Sequence, residues 1–500
     1  MRLHVLPLSQ IDMAPIGSLP AELLENILYQ ACADTPLLIP PARVHYVYSK
    51  GHLPPALAIS WVCQLWADIA LSNVKFWTPP IHINLPEFDF ESDDEADPKM
   101  VMRSLDLLQC YFTRSRLAPL HVELQGFMQK TEDWETSSEI IRLALSTLPR
   151  WKYCVIPAPL AQHLPEVVSG VVPELLERAE LAEMQRTWYD IDVDIFSRAP
   201  RLRSWRGPIA NAEGTILPWS QLTELYVSDF TPMTFVTDVL GACCCLVKLE
   251  VCIGQHGDLP GGIGGAVMPC LEDATFVMDS FQVLVHLLST LTTPKLQRLS
   301  LTGVVTTARR TLLEEAYGRL RLSRWPMPEF DAFLGRSQCT IRRLSLKSVI
   351  IPEDDFVVLL ERLPFLSDFR LQEESSLRED IYGQIPGSSV DDELLRRMTV
   401  DGKRANTLLP RLTRWSISGS LRFSHTALVD MVRSRTDPPM EYLYIDAGGR
   451  SIPYEMDDDT RAQLKAAMGK GGDLRFESEA AAFMRVFGSA APLEEGTIVD

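Results

Sequence analysis

Apolar residues recur along most of the chain in one six-residue pattern, with apolar residues at its first, fourth and sixth positions. Eight clear copies begin at Leu222, Leu246, Leu271, Leu296, Ile341, Leu366, Leu412 and Met440. Most of these starts are about 25 residues apart, and two steps are close to double that length. Weaker copies begin at Leu117, Leu148, Leu176 and Leu202. A repeat of this length predicts one short strand in each unit and stacking of neighbouring units.

Helical periodicity occupies several of the segments between these strands. The stretches from Asp279, Pro352 and Ser424 carry apolar residues at intervals of three or four, which predicts amphipathic helices. A strand and a helix in each unit predict a leucine-rich-repeat solenoid, with strands on its concave side and helices on its convex side. Regular repeats carry Asn or Cys eight residues after the first Leu, but none of the clear copies does. We therefore expect an irregular solenoid; chance recurrence of leucine is the alternative.

Two apolar helical segments precede the repeats. The first, "SLPAELLENILYQA", places Leu23, Leu24, Ile27 and Leu28 on a helix that is too short to be stable by itself. The second, "ALAISWVCQLWADIALSNVKFW", also has helical periodicity. The proline-rich stretch between them, Asp34 to Pro55, predicts a loop. The first helix must be covered by a partner or, alternatively, pack on the solenoid as its N-terminal cap.

These two segments resemble an F-box, whose pattern is Leu-Pro-x-Glu-Leu-Leu-x-x-Ile-Leu followed by a Val-Cys-x-x-Trp helix. The loop between the halves is longer than in a compact F-box. The resemblance implies docking to the Skp-family adaptor of a cullin-RING ubiquitin ligase, and through it to a cullin. The residues to which it assigns this role are Leu19, Pro20, Leu23, Leu24, Ile27, Leu28, Val62, Cys63, Trp66, Ile69 and Trp77.

Later motifs resemble F-box proteins with irregular leucine-rich repeats, of the type abundant in basidiomycete fungi. These motifs are Arg114-Ser115, Arg150-Trp151, Leu217-Pro218-Trp219 and Arg336-Ser337. The resemblance implies a non-catalytic receptor whose repeats hold a substrate protein for ubiquitination. The alternative is a repeat scaffold whose F-box-like segment has decayed.

The expected fold is α/β (α+β), a small all-helical F-box followed by an irregular leucine-rich-repeat solenoid. The expected divisions are an F-box at 17–80 with an internal loop at 34–55, an acidic linker at 81–100, a solenoid at 101–478 and a tail at 479–500.

Composition narrows the classes of partner. The chain has 48 Lys and Arg against 66 Asp and Glu, a formal net charge of -18. Such a charge repels phosphate backbones and anionic lipids, so neither nucleic acid nor a membrane is expected as a partner. No apolar run is long enough to cross a bilayer, and the N-terminus makes a poor signal peptide. Ten cysteines are too few for a disulfide framework, which favours the cytoplasm or nucleus.

Candidate catalytic or metal chemistry is sparse. Cys243, Cys244, Cys245 and Cys252 lie close together, but their spacing does not suit zinc, and buried apolar packing is the expected role. A glycine-rich stretch from Leu259 to Pro269 runs into a repeat strand and predicts a loop. The chain has no HExxH motif and no Gly-x-Ser-x-Gly elbow. No metal, cofactor or catalytic site is therefore predicted, which argues against a hydrolase.

Arginine recurs on the predicted concave face of the later strands. Side chains alternate along a strand, so the two residues flanking the fourth position of the pattern point to that face. Four such positions hold Arg298, Arg343, Arg370 and Arg414. Because arginine suits recognition of carboxylates and phosphates, we expect this face to bind an acidic or phosphorylated segment of a substrate. The alternative is ordinary solvated charge.

Overall fold

Two compact units, Met1–Pro218 and Trp219–Asp500, make up the computed structural model of this protein. The structure describes residues 19–33, 35–39, 53–84, 98–126, 131–161, 170–182, 195–209, 216–254, 265–303, 320–321, 325–372, 390–400, 407–419, 421–447, 456–469 and 471–478. In both units the main sheet is parallel, and its strands follow one another in chain order. This is the arrangement that a repeated strand-and-helix unit predicts.

The first unit begins with three short helices, with strand β1 between the first and the second, and the other strands follow. Its helices are α1 (Ala21–Ala33), α2 (Pro55–Ser60), α3 (Gln64–Ser72), α4 (Pro98–Arg114), α5 (Thr131–Leu145) and α6 (Ala158–Ala161), with 3-10 turns at Val74–Trp77 and Leu148–Arg150. Its strands are β1 (Leu37–Ile39), β2 (Ile81–Asn84), β3 (Leu120–Gln125), β4 (Trp151–Pro157), β5 (Arg178–Ala182) and β6 (Ser204–Gly207). Each strand pairs in parallel with the next.

The second unit has a longer main sheet and two small accessory sheets. The main strands, in their spatial order, are β7 (Glu224–Thr231), β8 (Lys248–Ile253), β10 (Asp273–Met278), β12 (Arg298–Gly303), β14 (Arg343–Lys347), β16 (Asp368–Gln372), β17 (Arg414–Ser418), β18 (Tyr442–Ala447) and β19 (Asp473–Ser478). The accessory pairs are β9 (Ala266–Val267) with β11 (Leu291–Thr292), and β13 (Leu320–Arg321) with β15 (Val349–Ile350).

Helices alternate with these strands along the chain. They are α7 (Thr234–Asp238), α8 (Phe281–Thr290), α9 (Met327–Ser337), α10 (Glu353–Glu361), α11 (Asp392–Met398), α12 (His425–Ser434) and α13 (Asp458–Met468), with 3-10 turns at Trp219–Gln221 and Leu240–Ala242. The three helices predicted from periodicity, at Asp279, Pro352 and Ser424, are confirmed as α8, α10 and α12.

The six-residue pattern accounts for the main strands. All twelve copies lie on strands, and the fourth and sixth positions of the clear copies point into the core, as Leu299 and Leu301 do in β12. Backbone bonds repeat at the entry to each strand: the amide of Glu272 donates to Val247 at 2.9 Å, and the amide of Gln297 donates to Glu272 at 3.0 Å. Each unit therefore satisfies part of its backbone on the preceding unit, and stacking is obligatory.

The two long steps in the repeat do not add a strand to the main sheet. Strand β12 pairs directly with β14, and β16 pairs directly with β17. Each long step is therefore a single large repeat unit, with its additional residues outside the main sheet. This explains why the pattern resumes in register after an interval of about twice the usual length.

Several boundaries differ from the sequence-based prediction. The predicted loop at 34–55 contains strand β1, which pairs with β2, and α2 begins at its last residue. The predicted second helix is divided into α2, α3 and a 3-10 turn, because Cys63 has extended backbone geometry (φ −161°, ψ 169°). The predicted linker contributes β2 and the start of α4; its residues 85–97, like the tail 479–500, lie outside the described residues.

Three arginines connect neighbouring repeats through backbone carbonyls. Arg150 donates to the carbonyl of Ala118 at 3.1 Å and to the hydroxyl of Ser115 at 2.6 Å. The motif residue Arg336 makes similar contacts, and so does Arg435, which belongs to none of the motifs. Each donates to carbonyls near the end of the helix in the preceding repeat. The recurring Arg-Ser motifs are thus part of the packing between repeats.

Candidate functional site: two protein-interaction surfaces

Helix α1 has one buried face and one exposed apolar face. The amides of Leu23 and Leu24 both donate to the carbonyl of Pro20 at 3.0 Å, which starts the helix. Leu24 and Leu28 are buried in the core, whereas Leu23 is 52% exposed and Ile27 is 50% exposed. The exposed pair is four residues apart, so both side chains lie on one face of the helix.

Polar and aromatic contacts fix α1 against the 3-10 turn that follows α3. The ammonium of Lys75 lies 2.7 Å from a carboxylate oxygen of Glu25 and 4.7 Å from the ring centroid of Tyr29. The amide of Asn73 donates to the same carboxylate, and Tyr29 meets Phe76 edge to face. The helix is therefore held by the chain itself, and its exposed face is not needed to anchor it.

The turn between α2 and α3 is also apolar and exposed. Trp61 is 70% exposed and Val62 is 59% exposed, and Leu65 in the first turn of α3 is exposed as well. Both helices pack on α1. We give the name apolar helical face to six exposed apolar residues of α1, of the residues just before it, and of the segment from the α2–α3 turn into α3: Leu19, Leu23, Ile27, Trp61, Val62 and Leu65.

The residues that the F-box resemblance singled out divide into three groups. Leu19, Pro20, Leu23, Ile27, Val62 and Cys63 are exposed, while Trp66 and Ile69 are partly covered. Leu24, Leu28 and Trp77 are in the interior of the chain. Trp61 and Leu65 belong to the exposed surface although the family pattern does not name them. Trp61 lies in the turn between α2 and α3 and Leu65 in the first turn of α3, a break that the prediction of one continuous helix did not contain.

Trp77 has a structural role. Its indole N–H donates to the carbonyl of Ala70 at 2.7 Å, and its ring lies 5.1 Å from that of Tyr111. The guanidinium of Arg114 stacks over the same ring at 4.4 Å. Trp77 therefore joins α3 to α4 within the first unit, and it is not available to a partner.

In the second unit, polar side chains line the sheet face opposite the buried leucines. Register pairing places Arg298 opposite Arg343 and Asp368 opposite Arg414. We call the polar surface of β12, β14, β16 and β17 the arginine-rich sheet face; its members are Arg298, Ser300, Arg343, Ser345, Lys347, Asp368, Arg370, Arg414 and Ser416. All four arginines lie on the sheet face opposite the core, because their neighbours along each strand are buried.

Carboxylates of the same sheet engage these arginines. Asp368, whose side chain is 7% exposed, lies 2.7 Å from Nε of Arg343 and 3.9 Å from Nε of Arg414. It also accepts two hydrogen bonds from Arg370, at 3.2 and 3.3 Å. Nε of Arg298 donates to Asp273 on β10 at 2.9 Å. Placing one buried carboxylate among three guanidiniums limits their freedom and fixes their positions.

Cationic side chains outnumber carboxylates on the described part of the arginine-rich sheet face. Its five cations lie with three carboxylates, Asp368 within the face, Asp273 on β10 and Asp446 on β18, and Lys347 has an interaction of its own. The rest of the chain is strongly acidic, with a net charge of -18 overall. A local field of the opposite sign to the molecule attracts an anionic ligand to this face.

The cysteine cluster differs from the prediction of buried packing. Cys243 is buried, and burial raises the pKa of its thiol to about 12. Cys244 and Cys245 are exposed, because the turn that leads into β8 directs them outward, and Cys252 is partly covered. Only the first of the three adjacent cysteines fills the core. Of the predicted glycine-rich loop, residues 259–264 lie outside the described residues.

Other chemistry is limited within the described ranges. No group of three His, Cys, Asp or Glu side chains among them is arranged to hold a metal ion. Burial lowers the pKa of His286, and its Nε2 is buried without a hydrogen-bond partner in this part of the chain. None of the described helices combines the length and the apolar character needed to cross a bilayer.

Comparison with known proteins gives little similarity. No family model and no curated protein matches the chain. A solved protein from Bacteroides fragilis, a Northeast Structural Genomics Consortium target, is 12% identical over 70% of this chain and 84% of its own, with a TM-score of 0.31. The Drosophila Toll–Spatzle complex is 14% identical over 82% of this chain and 53% of its own, with a TM-score of 0.30. The mixed α/β architecture, with its long parallel repeat, therefore rests on the geometry of this chain alone.

Proposed function

We propose that this protein is the substrate-recognition subunit of a Skp-cullin-F-box type ubiquitin ligase, without catalytic activity of its own. In this proposal the apolar helical face docks the Skp-family adaptor, which links the chain to a cullin. The sheet face of the repeats holds the substrate protein. The proposed site of action is the cytoplasm or nucleus.

The exposure of the apolar helical face is the observation that carries the proposal. Soluble proteins rarely leave neighbouring large apolar side chains in water unless a partner covers them. Leu23 and Ile27 are half exposed although α1 is already anchored through Leu24 and Leu28. The competing function, a repeat scaffold with a decayed F-box, would favour burial of these side chains within the chain. Their exposure favours docking, and the half-covered Trp66 is compatible with both.

Substitution of the exposed pair tests adaptor docking. The variant Leu23→Asp/Ile27→Asp should lower association with a co-expressed Skp-family adaptor by at least about a hundredfold. Each lost apolar contact removes roughly 1.5 kcal/mol, and each new carboxylate must also lose water. Association is measured by co-purification and by titration of the purified full chain with the adaptor.

Matched exposed residues provide the control for this test. Leu117→Asp/Ile216→Asp makes the same chemical change at exposed positions away from α1 to α3, and it should leave association unchanged. Equal adaptor binding by both double variants would contradict the docking role. Point variants are preferable to deletion of residues 1–80, because that deletion also removes strand β1 and Trp77 from the core.

A further inference from the structure

Two adjacent cysteines lie in the turn that leads into strand β8. Cys244 and Cys245 are both exposed, and their sulfur atoms are 4.0 Å apart. The residues on either side of the pair, Cys243 and Leu246, are buried and anchor the turn in the core. Packing therefore fixes the backbone on both sides of the pair and leaves the two thiols beside each other in water.

Hydrogen bonds hold this turn and connect it to the preceding repeat. The amide of Leu246 donates to the carbonyl of Cys243 at 3.2 Å, so one backbone bond spans the pair. The thiol of Cys244 donates to the carbonyl of Ser220 at 3.4 Å. Ser220 lies in the 3-10 turn Trp219–Gln221, one repeat earlier in the chain. The thiol therefore takes part in the contact between two repeats.

We propose that Cys244 and Cys245 are a redox modification site, at which hydrogen peroxide converts the two thiols into one disulfide. In the first step one sulfur attacks the peroxide, the O–O bond breaks, and a sulfenic acid and one water form. In the second step the other sulfur attacks the sulfenic sulfur, the S–S bond forms, and the hydroxyl group leaves as a second water with the thiol proton. The peroxide gains the two electrons that the thiols lose. The inference does not rest on the proposed function.

The position of the second thiol suits the second step. A disulfide bond is about 2.05 Å long, so the two sulfurs must approach each other by about 2 Å. Because the residues are adjacent, the second thiol always lies near the sulfenic acid and can capture it before more peroxide oxidises it further. The other exposed cysteine, Cys63, has no adjacent cysteine in the sequence. It therefore lacks this protection.

Ring closure between adjacent residues makes the bond easy to reduce. Consecutive Cα atoms are about 3.8 Å apart across a trans peptide, whereas disulfides usually join Cα atoms about 4.4 to 6.8 Å apart. A disulfide at this site is therefore both strained and exposed, and both features favour its reduction by other thiols. Such a bond forms while peroxide is present and is reversed afterwards, which suits a switch and not a permanent cross-link.

Oxidation should loosen the contact with the preceding repeat. A disulfide sulfur carries no hydrogen, so Cys244 can no longer donate to the carbonyl of Ser220. The closing ring also distorts the peptide between the two cysteines, which the backbone bond from Leu246 to Cys243 encloses. The 3-10 turn Trp219–Gln221 is therefore the place where we expect the structure to respond.

Peptide mapping tests the modification. The reduced full-length chain is treated with a small molar excess of hydrogen peroxide, unfolded, alkylated and digested. The peptide that contains all three adjacent cysteines should carry one alkyl group, on Cys243, and an internal disulfide. Reduction with dithiothreitol before alkylation should restore three alkyl groups. Three alkyl groups without reduction would overturn the assignment, and so would a disulfide to Cys270, which occupies the position of Cys245 one repeat later.

A serine variant separates the pair from a single reactive thiol. Cys245→Ser should form no internal disulfide, and its Cys244 should be oxidised to sulfinic acid at least about tenfold more than in the parent chain at the same peroxide dose. Cys63→Ser removes the other exposed thiol and should leave the disulfide yield unchanged. Equal sulfinic acid at Cys244 in the parent chain and in Cys245→Ser would refute capture by the second thiol. The mapping of the parent chain does not depend on the folding of any variant.

Amide hydrogen exchange tests the structural consequence. The amides of Trp219–Gln221 should exchange about threefold faster in the oxidised chain than in the reduced chain, because they lose the contact with Cys244. The amides of β12, which belongs to a later repeat, should exchange at the same rate in both. Equal exchange of the 3-10 turn in the two chains would overturn the role of the pair as a switch.

Discussion

At the scale of single residues, charge has two distinct uses in this molecule. Arginines of the sheet face are partly exposed and share carboxylates, whereas Arg435 is buried and donates to backbone carbonyls and to the sulfur of Met431. Its guanidinium reaches the carbonyls of Leu409 and Met398, each at 2.8 Å. Burial lowers the pKa of Arg435 to about 10, which still leaves the side chain charged at neutral pH. The hydrogen bonds offset the cost of burying that charge.

Replacing Arg435 should therefore be costly. Arg435→Met removes the donors while keeping much of the apolar stem, and it leaves buried carbonyls without partners. We expect a loss of about 3 kcal/mol in the free energy of unfolding, measured by urea denaturation. Arg433→Met, at an exposed position in the last turn of α12 just before Arg435, should change it by less than about 0.5 kcal/mol. Similar urea midpoints for the two variants would show that the buried hydrogen bonds of Arg435 contribute little to stability.

At the scale of elements, the apolar period predicts strands well and their ends poorly. Strand β19 was missed because "DLRFES" carries two apolar residues and lacks the first position of the pattern. Strand β1 was missed because its three residues lie in a proline-rich stretch, and its pairing with β2 is a long-range contact. Glycine at Gly207 ends β6 for a local reason, since its φ of +146° suits glycine alone.

Two glycine substitutions test this local geometry in opposite directions. A Cβ at Gly207 would lie 2.8 Å from Cβ of Leu181 and 3.0 Å from its carbonyl oxygen, so Gly207→Ala should destabilise the chain by about 2 kcal/mol. Gly335 lies within α9 with nothing within 4 Å of the added atom. Gly335→Ala should stabilise it by about 0.5 to 1 kcal/mol. Thermal unfolding of both variants measures the change in stability. If both substitutions changed the stability in the same direction, the explanation from local backbone geometry would be contradicted.

At the scale of the whole molecule, stability follows from stacking. Inner strands of the second unit pair on both sides and cover buried leucines, as β12 does between β10 and β14. In the described part of the chain, β19 pairs with β18 alone, and its Leu474 and Phe476 remain partly exposed. A repeat array loses contacts at its ends first, because a terminal unit has one neighbour.

Amide hydrogen exchange should show this gradient. The amides of β19 should exchange at least about a hundredfold faster than those of β12, with β18 between them, since local opening costs least where fewest contacts are broken. Peptide-level exchange followed by mass spectrometry measures the rates. Protection of β19 equal to that of β12 would show that the second unit opens as a single cooperative block.

The sequence alone determined the repeat and the identity of the sheet-face residues. A six-residue pattern at a near-constant step fixes which side chains enter the core, because alternation along a strand leaves two faces and the buried one must be apolar. It therefore predicted where Arg298, Arg343, Arg370 and Arg414 lie. Only the tertiary structure decided which charges meet. Asp368 gathers three arginines because β14, β16 and β17 are neighbours in space, although Asp368 on β16 and Arg414 on β17 are 46 positions apart along the chain.

The same division holds for the apolar helical face. Periodicity predicted an apolar helix at Leu23 to Leu28, but four neighbouring apolar residues do not reveal which pair is covered. The packing of α1 on α2, α3 and the following 3-10 turn buries Leu24 and Leu28 and leaves Leu23 and Ile27 in water. Burial depends on what lies opposite a side chain, and that partner is distant in sequence; a local pattern carries no information about it.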